Sequence, residues 1–194
     1  MKKIALNAFL VLVLLFSLFK TDATVSAAGE GACVADKTGL TEFDGLSNLD
    51  LLARLIYSEA RGETTQGLYG VARVVHNRVL KNLTEFGGSS VKGVILKTPG
   101  GFVGMTTVDA RCPYTDGAQG AEWRAALQAA NIYGTEPNPV GKTLWFNTNS
   151  VYSSRVIKDS QGKDTYKFPN ISYYQTVVEK YIVGGHTFFR VSGY

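Results

Sequence analysis

The sequence has few of the residues on which metal and thiol chemistry depend. Its 194 residues include two histidines, His76 and His186, and no His-Glu-x-x-His run. Two imidazoles in that arrangement are too few for a convincing zinc site. We therefore expect no metal and no cofactor, which argues against a zinc peptidase or a zinc amidase.

Long apolar runs are also scarce, and the one that exists lies at the N-terminus. It extends over residues 9–19 behind two lysines, and small residues follow at 25–28. This pattern is typical of a Sec signal peptide, cleaved here after Ala27 or Ala28. An uncleaved membrane anchor is the alternative, although a stable span needs roughly 18 apolar residues. We expect residues 1–28 to be removed on export, leaving the chain in the periplasm, at the cell wall or outside the cell.

Only two cysteines occur, Cys33 and Cys112. An even number in an exported chain is typical of a disulfide, which would tie the N-terminal segment to the middle of the chain. The alternatives are two unrelated thiols, or a cysteine peptidase that uses Cys112 and His186. Pairing of the cysteines argues against a free nucleophile.

The sequence lacks a basic run, an internal repeat and a low-complexity linker. Loss of residues 1–28 removes three lysines and one aspartate, so the formal charge falls from +4 to +2. A weak positive charge suits an anionic cell wall and does not indicate a nucleic acid partner. We expect a flexible leader over residues 29–46 and one domain over residues 47–194.

Hydrophobic periodicity places helices in the first two thirds of the chain and short strands at its end. The first helix is expected over residues 47–60, capped by Ser47 or Asn48 and ended by Gly62. Further helices are predicted over residues 65–80, 91–96 and 121–133, and strands over residues 143–147, 181–183 and 187–191. The predicted fold class is α+β.

Glu59 has an unusual position on the first predicted helix. It extends the apolar face of Leu55 and Ile56, and it lies in the last turn, where the helix dipole disfavours negative charge. Burial and the dipole should both raise its pKa, so that it can donate a proton to a glycosidic oxygen. The alternative, which periodicity alone favours, is a carboxylate paired with Arg61 or Arg54.

Residues 52–63 read LARLIYSEARGE and resemble the signature of the SleB-type cell-wall hydrolases, which include the spore cortex-lytic enzymes. Residues 70–79, 91–95, 126–146 and 184–189 are similar to further segments of the same family, in the same order. The similarity covers about residues 50–190, nearly the whole domain.

The resemblance implies a lysozyme-like α+β fold, related to lytic transglycosylases, and one catalytic glutamate, which maps to Glu59. Such an enzyme cuts peptidoglycan glycan strands between muramic acid and N-acetylglucosamine. The acid protonates the leaving oxygen, and its carboxylate then takes a proton from the 6-hydroxyl of the muramic sugar, which closes a 1,6-anhydro ring. A hydrolytic muramidase generally needs a second carboxylate, for which Asp109 is a candidate. A non-catalytic wall-binding protein on the same scaffold is a further alternative.

Aromatic rings stack on the apolar faces of sugars, so several aromatic residues are candidates for binding the glycan. We expect substrate contacts from Tyr57, Phe102, Trp145, Phe146 and Tyr174. Core packing is the alternative for each of them, because it claims most aromatic side chains. The expected partner is therefore peptidoglycan, with no nucleic acid and, after signal cleavage, no membrane.

Overall fold

The computed structural model describes residues 29–194, so the expected signal peptide at 1–28 lies outside the described residues. The helices are α1 (Asn48–Ala60), α2 (Thr65–Lys81), α3 (Val91–Ile95), α4 (Val108–Arg111), α5 (Gly117–Asn131) and α6 (Asn149–Arg155). The strands are β1 (Trp145–Thr148), β2 (Val156–Lys158), β3 (Asp164–Tyr166), β4 (Gln175–Val183) and β5 (His186–Val191). Short 3-10 segments cover Thr38–Phe43, Thr84–Phe86 and Val103–Thr106. Helices come first and strands last, which confirms the predicted α+β class.

Helix α1 is the centre of the helical part. Ser47 caps it as predicted, because its hydroxyl accepts a hydrogen bond of 3.1 Å from the Asp50 N–H. Leu55 and Ile56 have no exposed surface and belong to one core with side chains of α2 and α5. The helix is buried on most sides, and its C-terminal end is therefore held in a fixed place.

The strands form one antiparallel sheet in the order β1-β5-β4-β3-β2. On one face Phe189 packs with Tyr152 and Tyr166 in a second, smaller core. On the other face Phe188 packs against α2 at Gly70, where a Cβ atom would lie 2.6 Å from the ring. The missing side chain at Gly70 lets the sheet approach the helices closely.

Residues 29–46, expected as a flexible leader, pack against the helices. The Gly31 N–H donates to Asp50 Oδ1 at 3.0 Å, and Arg54 Nη2 donates to Ala32 O at 2.6 Å. Cys33 and Cys112 form a disulfide, with their Cα atoms 4.2 Å apart. The structure thus differs from the expectation, because buried polar contacts and a covalent bond fix this segment to α1 and to the residue after α4.

The sequence-based element bounds agree with the structure for α1, α2 and α3 to within a residue or two. Helix α5 begins earlier than predicted, at Gly117, and β4 is longer than the expected strand. Helices α4 and α6 and strands β2 and β3 were not predicted. No helix among residues 29–194 has the length and apolar character needed to cross a membrane.

Candidate functional site

Glu59 lies in the last turn of α1 and is partly buried, whereas Tyr57 and Ala60 beside it are buried. Its Oε1 atom accepts a hydrogen bond of 2.6 Å from the backbone N–H of Gly104. Gly104 belongs to the 3-10 segment Val103–Thr106, so a loop distant in sequence meets the end of α1 here. The carboxyl group is held by one backbone donor and keeps part of its surface accessible.

The contact with Gly104 depends on the absence of a side chain. A Cβ atom at Gly104 would lie 2.6 Å from the Ser58 hydroxyl and 2.8 Å from Glu59 Oε1. Such distances are far shorter than van der Waals contact, so with any other residue either the loop or the Ser58 and Glu59 side chains would have to shift.

A buried arginine lies below this loop. Arg78 of α2 donates from Nε to Leu144 O at 2.8 Å. Its guanidinium carbon lies 4.5 Å from the centroid of the Phe102 ring and 5.2 Å from that of Phe86. Phe102 directly precedes the segment that carries Gly104.

Three effects act on the Glu59 carboxyl group. Burial raises its pKa, and the Gly104 N–H and the positive charge of Arg78 oppose that rise, leaving the pKa above its ordinary value. Burial also lowers the pKa of Arg78 to about 10, so the guanidinium stays charged at neutral pH. The raised pKa of Glu59 agrees with the sequence-based expectation and suits a general acid.

The two arginines considered as partners of Glu59 are engaged elsewhere. Arg54 pairs with Asp50 at 3.0 Å, and Arg61 pairs with Asp109, with Nη2 to Oδ2 at 3.1 Å. Neither forms a recorded contact with Glu59 among the described residues. The interpretation of Glu59 as an ordinary ion-paired carboxylate is therefore not supported.

The other carboxylates near the end of α1 are also occupied. Glu63 accepts hydrogen bonds from the Gly185 N–H at 3.1 Å to both oxygens and lies 3.4 Å from His186 Nδ1. Glu122 lies 3.7 Å from Nε of Arg61, which also holds Asp109. Asp109, the candidate for activating a water molecule, thus forms a bidentate contact with Arg61.

Two of the five expected sugar contacts are buried in the structure. The Tyr57 ring has no exposed surface, and its hydroxyl accepts from the Tyr114 N–H at 3.4 Å. Phe102 is 7% exposed, packed between Arg78 and Phe146. Phe102 therefore packs in the core, whereas Tyr57, although buried, also lines a cavity at the end of α1.

The other three candidates are separated in the structure. Phe146 is partly buried and packs against Phe102 and Phe188, near the Glu59 loop. Trp145 points to the other face of the sheet, in the second core. Tyr174 is 42% exposed, with the Lys167 ammonium 5.8 Å from its ring centroid. Of these three, Phe146 contacts Phe102, the residue before the 3-10 segment whose Gly104 binds Glu59.

A cavity of about 240 Å³ adjoins the end of α1. Its lining includes Arg61, Glu63, Leu68 and Glu122, while Glu59 is not a lining residue. The cavity therefore adjoins Tyr57 and the turn that follows Glu59, and the Glu59 side chain is not part of its wall.

Comparison with known proteins assigns the chain to a family. The model of the family described as Cell Wall Hydrolase matches residues 62–174, more than half of the chain. The chain belongs to this family. The membership predicted from residues 52–63 is thus confirmed, although the matched region begins at Gly62, just after Glu59.

Among the relatives of this Cell Wall Hydrolase family member is the cell wall hydrolase CwlJ of Halalkalibacterium halodurans. The two are 31% identical over 100 residues, which is 51% of this chain and 66% of the relative, just under two thirds of its length. Among solved structures, the catalytic domain of the Bacillus cereus SleB protein is 22% identical, with a TM-score of 0.43 over 80% of this chain and 99% of that one. The catalytic domain of the germination-specific lytic transglycosylase SleB from Bacillus anthracis is also 22% identical, with a TM-score of 0.44 over 76% and 98%.

Sequence reasoning identified Glu59 and missed Gly104 and Arg78. A glycine that contributes only its N–H carries no chemical signal in the sequence. Arg78 falls within residues 70–79, which resemble the family. Its neighbours in sequence do not indicate that its side chain packs against Phe102, which lies in a distant segment of the chain.

Proposed function

We propose that this chain cuts the glycan strands of peptidoglycan as a lytic transglycosylase, with Glu59 as its acid and base. The observation that carries the proposal is the Glu59 carboxyl group, partly buried at the end of α1 and bound at Oε1 by the Gly104 N–H. Membership of the Cell Wall Hydrolase family supports a peptidoglycan substrate.

The hydrogen bond from Gly104 distinguishes the two carboxyl oxygens. Because Oε1 accepts an N–H, the acidic proton is favoured on Oε2, which then faces the glycosidic oxygen. Oε2 gives this proton to the leaving N-acetylglucosamine oxygen as the glycosidic bond breaks. The carboxylate, stabilised by the Gly104 N–H, next takes the proton of the muramic 6-hydroxyl, and that oxygen closes the anhydro ring on the same sugar.

The occupied carboxylates support this reaction over hydrolysis. An inverting hydrolase needs a second carboxylate free to activate water, and a retaining one needs a second carboxylate as nucleophile. Asp109 and Glu122 contact Arg61, and Glu63 binds the Gly185 N–H. The transglycosylase reaction needs only the one carboxyl group that Glu59 provides.

The test compares Glu59→Gln with Asp109→Asn on purified sacculi. We expect Glu59→Gln to bind the wall and release no fragments, because the amide cannot give up a proton, and Asp109→Asn to release the same products as the parent. Mass spectrometry should find muramic ends lighter by one water than reducing ends. Cleavage by Glu59→Gln at the parent rate would disprove the proposal, and reducing-end products would indicate a muramidase. Retained binding without cleavage by the parent itself would favour a wall-binding protein.

We also propose that the chain reaches this substrate through the Sec pathway. The charged and apolar pattern of residues 1–28 supports it. A secreted form that begins directly after Ala27 or Ala28, as read by N-terminal sequencing, would agree with this; retention of residues 1–28 would indicate an anchor.

A further inference from the structure

Arg78 differs from Arg54, the other buried arginine of α1 and α2. Arg54 donates to Asp50, Ala32 O, Ala110 O and Arg111 O, so its charge and its N–H groups are satisfied. Arg78 is 6% exposed and donates one recorded hydrogen bond, to Leu144 O. None of the carboxylates of residues 29–194 forms an ion pair with it.

A buried guanidinium without an anionic partner is costly for the fold. An apolar side chain of similar volume, packed between Phe86 and Phe102, would avoid that cost. The hydrogen bond to Leu144 and the two ring contacts use the flat shape of the guanidinium, while its positive charge has no anionic partner in an ion pair among residues 29–194.

The contacts of Arg78 lead to the Glu59 carboxyl group. Its guanidinium lies 4.5 Å from the Phe102 ring centroid, and Phe102 also packs on Phe146. The chain continues from Phe102 through Val103 to Gly104, whose N–H binds Glu59 Oε1. The segment that binds the Glu59 carboxyl group is therefore packed, through Phe102, against the Arg78 guanidinium.

We propose that Arg78 is a positioning residue for Glu59. Its flat guanidinium holds Phe102, and with it the Gly104 N–H, in place, and its positive charge favours the carboxylate that forms when Glu59 gives up its proton. This inference rests on the proposed function of Glu59 in the chemical step, but the coupling between the two side chains can be measured without that activity.

The test uses Arg78→Met, which removes the charge and keeps the volume, and Arg78→Lys, which keeps the charge and loses the flat group. Arg73→Met is the matched control, because Arg73 lies on the same helix and pairs with Glu136 at 3.1 Å, away from the Phe102 loop. Initial rates on soluble glycan fragments are measured from pH 4 to pH 9, together with the melting temperature of each variant.

In Arg78→Met the carboxylate is harder to form, so the protonated acid persists to higher pH. We expect the alkaline limb of the rate profile to move up by about one pH unit, the lower end of what one neighbouring charge produces. The plateau rate should fall about tenfold with KM little changed, because the Gly104 N–H is less well placed. Arg73→Met should keep the parent profile. If the rate of Arg78→Met falls only in proportion to the loss of folded protein and the alkaline limb of the pH–rate profile does not move, Arg78 has only a packing role and the proposal is overturned.

A second measurement separates this inference from the proposed function. The side-chain carboxyl of Glu59 is titrated by carbon NMR in ¹³C-glutamate-labelled protein, with Glu59→Gln used to assign the signal. A midpoint higher in Arg78→Met than in the parent supports the coupling even if Glu59→Gln remains active. An equal midpoint overturns it. If Arg78→Met does not fold, Arg78→Lys decides: a rate severalfold lower with a nearly unmoved limb supports positioning, and the parent rate refutes it.

Discussion

The buried part of the Glu59 side chain affects the stability of the protein as well as its chemistry. Burial raises the pKa of Glu59 above its ordinary value of 4.5. The contribution of the protonated carboxyl group to the free energy of unfolding is therefore complete below pH 4.5, and it is lost as the pH rises through the raised pKa. Glu59→Gln cannot ionise. We expect its free energy of unfolding to exceed that of the parent at pH 7 and to approach it toward pH 4, since each unit of raised pKa corresponds to about 1.4 kcal/mol. Urea denaturation at both pH values measures this, and a difference independent of pH would contradict it.

Gly104 provides a second prediction at the residue scale. In Gly104→Ala the new methyl group meets Ser58 and Glu59 Oε1, so the loop or the carboxyl group must shift, which disturbs the N–H contact. We expect the rate of sacculus digestion to fall about tenfold or more. Gly45→Ala is the control, because a Cβ atom at Gly45 meets no atom within 4 Å. Parent activity in Gly104→Ala would show that the N–H is dispensable.

Some residues of the site could be predicted from the sequence, and others could not. The apolar face of α1 and the family signature both indicated Glu59, because burial on a helix follows from periodicity. Tyr57 is buried and lines the cavity at the end of α1, so its contact with the glycan stays a prediction. The contributions of Gly104 and Arg78 arise between segments distant in the chain, and no local pattern records them.

A contact between elements joins the helices to the sheet. Glu63, in the turn between α1 and α2, accepts a hydrogen bond from the Gly185 N–H in the turn between β4 and β5. We expect Glu63→Ala to lower the free energy of unfolding by about 1 kcal/mol, since the N–H loses its partner at a partly exposed site. Glu30→Ala, at an exposed position of the leader, should leave stability unchanged. Urea denaturation of the two variants gives the comparison, and equal values would mean that solvent replaces the contact.

Long periodic elements were predictable and short ones were not. Helices α1 and α2 combine an apolar stripe with side-chain caps at Ser47 and Thr64. Strands β2 and β3 have three residues each, too few for an alternation to be recognised. Helix α5 starts at Gly117 among small and polar residues, so its first turn carries no apolar signal.

At the scale of the whole molecule, the disulfide fixes the N-terminal segment to the helices. Cys33 and Cys112 are 79 positions apart, so the bond closes a long loop in the unfolded chain. We expect the double variant Cys33→Ser, Cys112→Ser to unfold at lower urea, with a loss of about 2–4 kcal/mol. A reducing agent should destabilise the parent to a similar extent and leave the double variant unaffected. An unchanged midpoint in the double variant would show that the hydrogen bonds of Gly31 and Arg54 suffice.

The division into two cores has a spectroscopic consequence. The chain has two tryptophans, and each core contains one: Trp123 in the helical core, with Gly31 of the leader against its indole, and Trp145 in the aromatic cluster behind the sheet. Replacing either indole with phenylalanine leaves a single emitter whose fluorescence reports on one half of the protein. Unfolding of the two variants, followed by tryptophan fluorescence, would then show whether the helices and the sheet unfold in one cooperative transition or in two successive ones.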